Sequence, residues 1–540
     1  MRHVILALLF VAWQPVRLPV WASASAPEAG RPKLVVLLVV DQMRGDYPIR
    51  YASLLDKGLR RLITDGAWYR RGAYPYLNTL TCVGHSTLGT GVLPYQHGMI
   101  QNAWYDRDSG RTVACTNDGT ASDVSAAGTA GGPGDSAARL LVPTLAEVMR
   151  RDMKARVVTI SIKARASIGL AGHGGDAVLW LGDRGQLQTS TAYAAAVPAW
   201  AEAFARANPI ERDAGKVWER TLAEARYQYS DDPPGETPGG GWSAPFPHRL
   251  GAAGDTRFLA HWEQSPYADE YLEALAEHAI DALHLGAEGH LDFLGVSFSS
   301  VDLVGHAFGP RSHEVQDMLV RLDATIGRLL THLDERVGAG NYVLALSADH
   351  GVADVPAQAE HAGRILSATV TAAIDDRLKA AYGGDGSFVV ANLGTDIYLK
   401  PGVYERLRHD APTLKAVTGT LDAMPGVARV LHADEINSSA ARRSNDREIR
   451  AAALGYFPGR SGDLILIPKE NWIFGATTTT HGTLYAYDQD VPMIIYGAGV
   501  RSGVRDEPAT PADVAPTLAA LAKVHLLSGD GRVLKSALRR

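Results

Sequence analysis

An unbroken run of branched apolar residues over 33–40 (KLVVLLVV) ends abruptly in Asp41. A run with no polar alternation suits a strand buried on both faces, as in a parallel sheet covered by helices. Similar runs recur at 156–161 (RVVTIS), 292–297 (DFLGVS), 342–347 (YVLALS) and 492–496 (PMIIY). Helical patterns fall at 51–65, 143–151, 268–285, 312–337 and 511–523, with Gly66 as the stop of the first. Strand and helix alternate, which predicts an α/β fold built on a doubly wound, mainly parallel sheet. Functional groups in such sheets gather outside the carboxyl ends of the strands. Asp41, Lys163, Asp302 and Asp349 each follow a predicted strand. The pattern predicts one domain over 33–540. Two stretches break it, 196–265 (rich in Trp, Tyr, Pro and Gly) and 385–465 (with a β-α-β piece around 414–430). Both are expected to be insertions forming a crown over the sheet edge.

Residues 1–26 read as a cleaved signal peptide. Arg2 and His3 precede the apolar stretch 4–13, and small residues at 22–26 fit an A-x-A cleavage site. Pro15, Arg17 and Pro19 interrupt the stretch, so a span of about 20 apolar residues is not reached. The expected location is periplasmic or secreted, with no membrane span in the mature chain. Cys82 and Cys115 are the two cysteines, and in an oxidising compartment an even pair is expected to form a disulfide. The formal net charge of −6 provides no basic footprint for nucleic acid.

Six residues suggest metal chemistry. Asp302 and His306 lie four apart in SSVDLVGHAFGP, a spacing that presents both side chains on one helix face. Asp349 and His350 follow a strand, and Gly351 permits the chain to bend there. Asp41 ends a buried strand, where a carboxylate requires a cation or donors. His481 stands in TTTTHGT. Each signal alone has an ordinary structural alternative, such as a cap, a turn or a core histidine. Together, three Asp and three His are divisible into two sites of mixed nitrogen and oxygen ligands.

The order of these motifs, with TCVGH at 81–85 between the first and second groups, resembles the alkaline phosphatase superfamily. Within it the chain is most similar to the PafA/PhoK-type bacterial alkaline phosphatases. The resemblance runs from Asp41 to His481. It implies two zinc ions, one held by Asp302, His306 and His481, the other by Asp41, Asp349 and His350, with Thr81 as the nucleophile at the metal centre. It also implies that Asn102 (in GMIQNAWYD), Lys163 and Arg165 (in ISIKAR) hold the phosphoryl group. Mixed Asp and His ligands also admit manganese or iron.

On this reading Thr81, ahead of a short helix expected at 82–89, attacks phosphorus and forms a phosphothreonine. Thr79, Ser86 and Thr87 are competing hydroxyls. Lys163 and Arg165 are expected on one face of an extended segment. With Asn102 they suit the dianion of a monoester better than a diester. His85, His97 and His173 are not expected to be ligands; His85 and His97 are expected to pin the helix and the Gly98 turn. Trp104 and Trp472 are candidates for a substrate mouth, with packing the expected role. The resulting expectation is a broad phosphate monoesterase that takes small phosphate esters and scavenges phosphate. The alternative is a phosphodiesterase or nucleotide pyrophosphatase on the same fold. A sulfatase is disfavoured because Cys82 lacks the C-x-P-x-R context. A cytosolic mutase fits the leader badly, and a purely binding protein would not require the nucleophile. The sequence does not indicate an oligomeric state.

Overall fold

The first apolar run forms strand β1 (Leu34–Val40), and all seven of its residues are buried. Its side chains alternate between two cores. Leu34, Val36, Leu38 and Val40 pack with helices Pro266–Leu283 and His313–Leu333. Val35, Leu37 and Val39 pack on the other face with Leu145–Met153 and Val514–Ala522. Each buried apolar side chain there stabilises the fold by about 1.5–3 kcal/mol, so the sheet must be covered on both faces. The structure, a computed structural model, describes residues 31–287, 289–527 and 529–539. The signal peptide expected at 1–26 lies outside the described residues. Among these, no helix is long and apolar enough to cross a membrane.

Ten further strands join β1: β2 (Ala67–Tyr69), β3 (Asp123–Ser125), β4 (Gly128–Thr129), β5 (Val157–Ser161), β6 (Ala177–Leu181), β7 (Leu187–Ser190), β8 (Asp292–Phe298), β9 (Tyr342–Ser347), β10 (Met493–Gly497) and β11 (Gly503–Arg505). The order is β11-β2-β10-β9-β1-β8-β5-β6-β7-β3-β4. The central strands β9, β1, β8, β5 and β6 are parallel. Strand β10 pairs antiparallel with β9, and β7 antiparallel with β6. The expected α/β architecture is therefore present, with a parallel centre and antiparallel strands towards both edges.

The helix expected over 51–65 is broken. A 3-10 turn at Ala52–Leu54 precedes a helix at Gly58–Asp65. Asp323, from the helix His313–Leu333, accepts hydrogen bonds from the backbone N–H groups of Asp56 (2.7 Å), Lys57 (2.8 Å) and Arg60 (3.2 Å). A carboxylate distant in sequence thus supplies a new helix start. Gly66 caps that helix in an extended conformation.

The stretch between Gly363–Ile365 and Trp472–Phe474 is a separate unit, entered and left through two strands that pair in parallel. It carries an antiparallel sheet in the order Val389–Leu393, Asp396–Leu399, Leu464–Pro468, Val427–His432. Helices Ser367–Tyr382 and Ala411–Asp422 cover it over a core of its own. The unit begins earlier than the expected 385, because the amphipathic helix from Ser367 packs into it. The expected β-α-β piece is a helix followed by one strand of this antiparallel sheet.

The 196–265 stretch is mostly loops and short helices that feed Phe204, Trp218 and Trp262 into the main core. Its segment around Asp231 and Glu236 straps across the start of the helix His313–Leu333, with His313 Nε2 donating to Tyr229 O at 3.2 Å. Burial, then Asp232 and Asp231, push the Glu236 carboxyl up to about 9. The folded state therefore favours the protonated acid. That preference is complete below the unfolded value near 4.5 and is lost as pH rises through about 9. Glu236→Gln is expected to raise the melting temperature at pH 9 and to leave it unchanged at pH 4. Calorimetric melts across that range check this, and a constant offset at all pH values would refute it.

Candidate active site

Strand ends bring the site together. β1 delivers Asp41, β8 leads into the helix Ser300–Phe308 with Asp302 and His306, and β9 delivers Asp349 and His350. The loop before His481 closes over them. Asp41, Asp302, Asp349, His350 and His481 are buried, and His306 is partly open. Two clusters result. Asp302, His306 and His481 form one, and Asp41, Asp302 and His350 the other, with donor atoms in each within 4.8 Å of one another. The first matches the expected grouping. The second contains Asp41 and His350 of the expected grouping and adds Asp302; Asp349, expected with them, keeps Oδ2 buried without a hydrogen-bond partner beside His350 Nε2. Asp349 packs against His85 Nδ1 at 3.2 Å and His350 Nε2 at 3.3 Å. Gln42 links the two carboxylates: its backbone N–H donates to Asp349 Oδ1 (3.1 Å) and its Nε2 to Asp302 Oδ1 (2.6 Å).

Hydrogen bonds orient the imidazoles. His306 Nδ1 faces Thr479 O (2.9 Å), His350 Nδ1 faces Gly351 O (2.9 Å), and His481 Nδ1 faces Thr79 O (2.8 Å). A carbonyl only accepts, so each Nδ1 carries the proton and each Nε2 presents its lone pair to the site. Burial pushes the His481 and His350 imidazoles below their usual range. Burial has the same effect on His306, but Asp302 beside it overcomes this and raises the ring. Asp41 Oδ1 is buried without a hydrogen-bond partner. Burial, then Asp302 and Asp349, drive the Asp41 carboxyl well up. Asp41 and Asp302 share one ammonium, that of Lys163, and Asp349 has no lysine or arginine within ion-pair distance among the described residues. Inward-facing imidazole lone pairs, an orphaned carboxylate oxygen and this charge imbalance all suit divalent cations.

Thr81 is the first residue of the helix Thr81–Thr90, rather than standing just ahead of it. It is buried, and its Oγ1 lies 3.4 Å from His350 Nε2. The competing hydroxyls are engaged elsewhere or lie deeper in the helix. Thr79 Oγ1 donates to Thr483 O (3.0 Å) and Thr87 Oγ1 to Val83 O (2.9 Å), while Ser86 lies one turn on. Gly84 lets this helix touch the Asp349 backbone, since a Cβ there would stand 2.2 Å from Asp349 O. Gly351 serves closeness rather than a left-handed bend: a Cβ would meet Tyr487 O at 2.1 Å. His85 ties the helix to Asp349 and to Ser297 Oγ (2.7 Å), and His97 accepts from the Met99 amide (3.1 Å) around the Gly98 turn. His173 pairs with Glu147 at 2.9 Å, away from these clusters.

Asn102 Oδ1 accepts from the Cys82 amide at 2.8 Å, which leaves its amide nitrogen as the remaining donor. The disulfide Cys82–Cys115 and the Cys115 N–H to Asn102 O bond (2.9 Å) hold the same corner. Lys163 and Arg165 do not lie on an extended segment. Lys163 caps the helix Ala164–Ala171 and Arg165 sits in its first turn, because the chain turns directly at the end of β5. Lys163 Nζ bridges Asp41 Oδ2 and Asp302 Oδ2, each at 2.5 Å. Burial alone would lower its pKa; Asp302 and Asp41 raise it instead. Arg165 is half-buried, and its Nε has no partner. Trp104 is fully buried beneath Arg139 and Arg460, and Trp472 packs over Gly363 and Gly426. Both are packing residues.

The profile of the type I phosphodiesterase/nucleotide pyrophosphatase family matches residues 35–488. The chain is 32% identical to alkaline phosphatase PafA of Elizabethkingia meningoseptica, over 92% of this chain and 93% of that one. It is 32% identical to alkaline phosphatase PhoV of Synechococcus elongatus, over 99% of this chain and 98% of that one. The crystal structure of wild-type PafA superposes with a TM-score of 0.86 at 31% identity, covering 94% of this chain and 99% of that one.

Proposed function

Because this chain belongs to the type I phosphodiesterase/nucleotide pyrophosphatase family, on its PafA-type alkaline phosphatase branch, we propose that it hydrolyses phosphate monoesters through Thr81. The observation that carries this reading is the Thr81 hydroxyl, 3.4 Å from His350 Nε2 in the Asp41, Asp302 and His350 cluster. Asp302, His306 and His481 would hold one ion, and Asp41, Asp349 and His350 the other, with Asp302 within reach of both. Two zinc ions suit these donors; they would supply positive charge that stabilises a threonine alkoxide and a departing alkoxide.

The remaining steps belong to the protein. Thr81 Oγ gives up its proton and attacks phosphorus; the bond from phosphorus to the ester oxygen breaks, the leaving alkoxide takes a proton and departs as the alcohol, and the phosphoryl group rests on threonine. A water then attacks the phosphothreonine, its oxygen leaves with the phosphate, and Thr81 Oγ takes a proton to restore the hydroxyl. The N-terminus of the Thr81–Thr90 helix directs partial positive charge at the phosphoryl group, and its Cys82 N–H holds Asn102 Oδ1 there. Asn102, Lys163 and Arg165 supply donors for its non-bridging oxygens. Lys163, shared between Asp41 and Asp302, is already aimed into the site. Three such donors match a dianionic monoester. A diester carries one less charge and an additional substituent.

The second reading, a phosphodiesterase, is favoured by the family profile itself. Rates on phenyl phosphate and on bis-phenyl phosphate separate the two. The monoester is expected to turn over faster, and a faster diester would overturn the assignment. Arg165→Ala tests the same point. A charged hydrogen bond contributes about 1.5–3 kcal/mol, so kcat/KM on the monoester is expected to fall roughly 10- to 100-fold. The diester rate is expected to fall less, narrowing the ratio. The cleaved leader expected over 1–26 would place the enzyme in the periplasm or outside the cell, where small phosphate esters are available for scavenging.

A further inference from the structure

The carboxylate of Asp396 lies outside the metal clusters and is wholly buried, and the donors that hold it are neutral amide and hydroxyl groups. It belongs to the inserted antiparallel unit, on the strand Asp396–Leu399. Its Oδ2 accepts from Asn78 Nδ2 (3.3 Å), Gln101 Nε2 (2.6 Å) and Thr395 Oγ1 (2.7 Å). Its Oδ1 accepts from the Gly462 amide (2.8 Å). A buried charge is retained only when donors surround it, and these donors are not placed at random. Asn78 opens the segment Asn78-Thr79-Leu80-Thr81, and Gln101 immediately precedes Asn102. Asn78 Nδ2 also reaches Ile100 O (3.1 Å), and Gln101 Nε2 reaches Leu393 O (3.1 Å). The two chain segments that deliver the nucleophile and the phosphoryl-holding amide are therefore joined to each other and to the inserted sheet through one carboxylate.

We propose that Asp396 is a positioning residue that sets the distance between Thr81 and Asn102, so that the inserted unit governs how the phosphoryl group is held against the nucleophile. The inference rests on the reading of Thr81 and Asn102 given above. Asn102 Oδ1 accepts from the amide of Cys82, the residue after Thr81, so a shift of the Gln101–Asn102 segment moves the amide relative to the helix start. A misplacement of about 1 Å is enough to cost on the order of 100-fold in rate.

The test is a double-mutant cycle on the full, metal-loaded chain. Asp396→Asn removes the charge at unchanged volume. It is expected to leave metal content unchanged, to lower kcat/KM on phenyl phosphate about 10- to 100-fold, and to weaken inhibition by inorganic phosphate. Combined with Asn102→Ala, it is expected to add less than about a factor of three, because the two residues act on one contact. Losses that multiply, or an Asp396→Asn enzyme with unchanged turnover and phosphate inhibition, would overturn the proposal. If Asp396→Asn does not fold, Gln101→Ala severs one arm of the same hub and enters the same cycle with the same criteria. Thr81→Ala is run alongside. If it keeps full turnover, the Thr81 reading fails, and that result is independent of whether the Asp396 and Asn102 losses multiply.

Discussion

Thr81→Ala is expected to lower kcat on phenyl phosphate by on the order of a thousand-fold or more, the scale on which removal of a nucleophile acts. The reason is local. Thr79 and Thr87 donate their hydroxyl protons to the carbonyls of Thr483 and Val83, so neither is placed to take over. The fold is expected to survive. Thr81 makes no side-chain cap at its helix start, and the helix is held by His85 and the Cys82–Cys115 bridge. A melting temperature within a few degrees of the parent, together with unchanged metal content, would separate loss of chemistry from loss of structure. Acid-quenched enzyme is expected to carry phosphate on Thr81 in the parent and none in the variant. A variant that retains a tenth of the parental rate, or a phosphate trapped on another residue, would reject the assignment.

Asp302→Ala is expected to cost more metal than the loss of any other single ligand. Asp302 alone belongs to both clusters. Its Oδ1 lies 3.2 Å from His306 Nε2 and 3.7 Å from His481 Nε2, and accepts from Gln42 Nε2 at 2.6 Å. Its Oδ2 holds Lys163. Removing it opens both groups and frees a lysine to pair with Asp41 alone. Outer partners of metal ligands already cost about 10- to 100-fold in affinity when removed; the loss here is expected to exceed that range. Dialysed Asp302→Ala protein should hold fewer ions per chain than His306→Ala, whose change touches one cluster. Elemental analysis of both variants, before and after addition of excess zinc, measures the difference. Equal retention by the two variants would show that Asp302 serves one ion only.

Local pattern made the frame of this protein readable. The runs at β1, β5, β8 and β9 are apolar because both faces of the sheet are covered, and that constraint is visible residue by residue. The residues after those strands follow from the same logic: a polar group at a carboxyl end is where the chain leaves the core. Hence Asp41, Asp302, Asp349 and Lys163 were identifiable, and the ordered motifs pointed to Thr81, Asn102, Arg165 and His481. The edges were less legible. Strand β10 carries the apolar signature of its parallel neighbours yet runs antiparallel, because strand direction depends on the connection rather than on composition.

Asp396 was missed for a related reason. It is a single acid in an otherwise ordinary strand, and its partner Asn78 is 318 residues away. The break in the expected 51–65 helix has the same origin, since Asp323 caps it from another helix. By itself the sequence determined the buried central strands, and which acids, imidazoles and hydroxyl stand near their ends. These are consequences of short-range periodicity and of what a buried strand tolerates. Only the tertiary structure decided that Asp302 is shared between both clusters, that Asp349 leans on His85, and that Lys163 lies between two carboxylates. Those outcomes depend on ångström-scale distances between segments far apart in the chain, and such distances leave no trace in any local pattern.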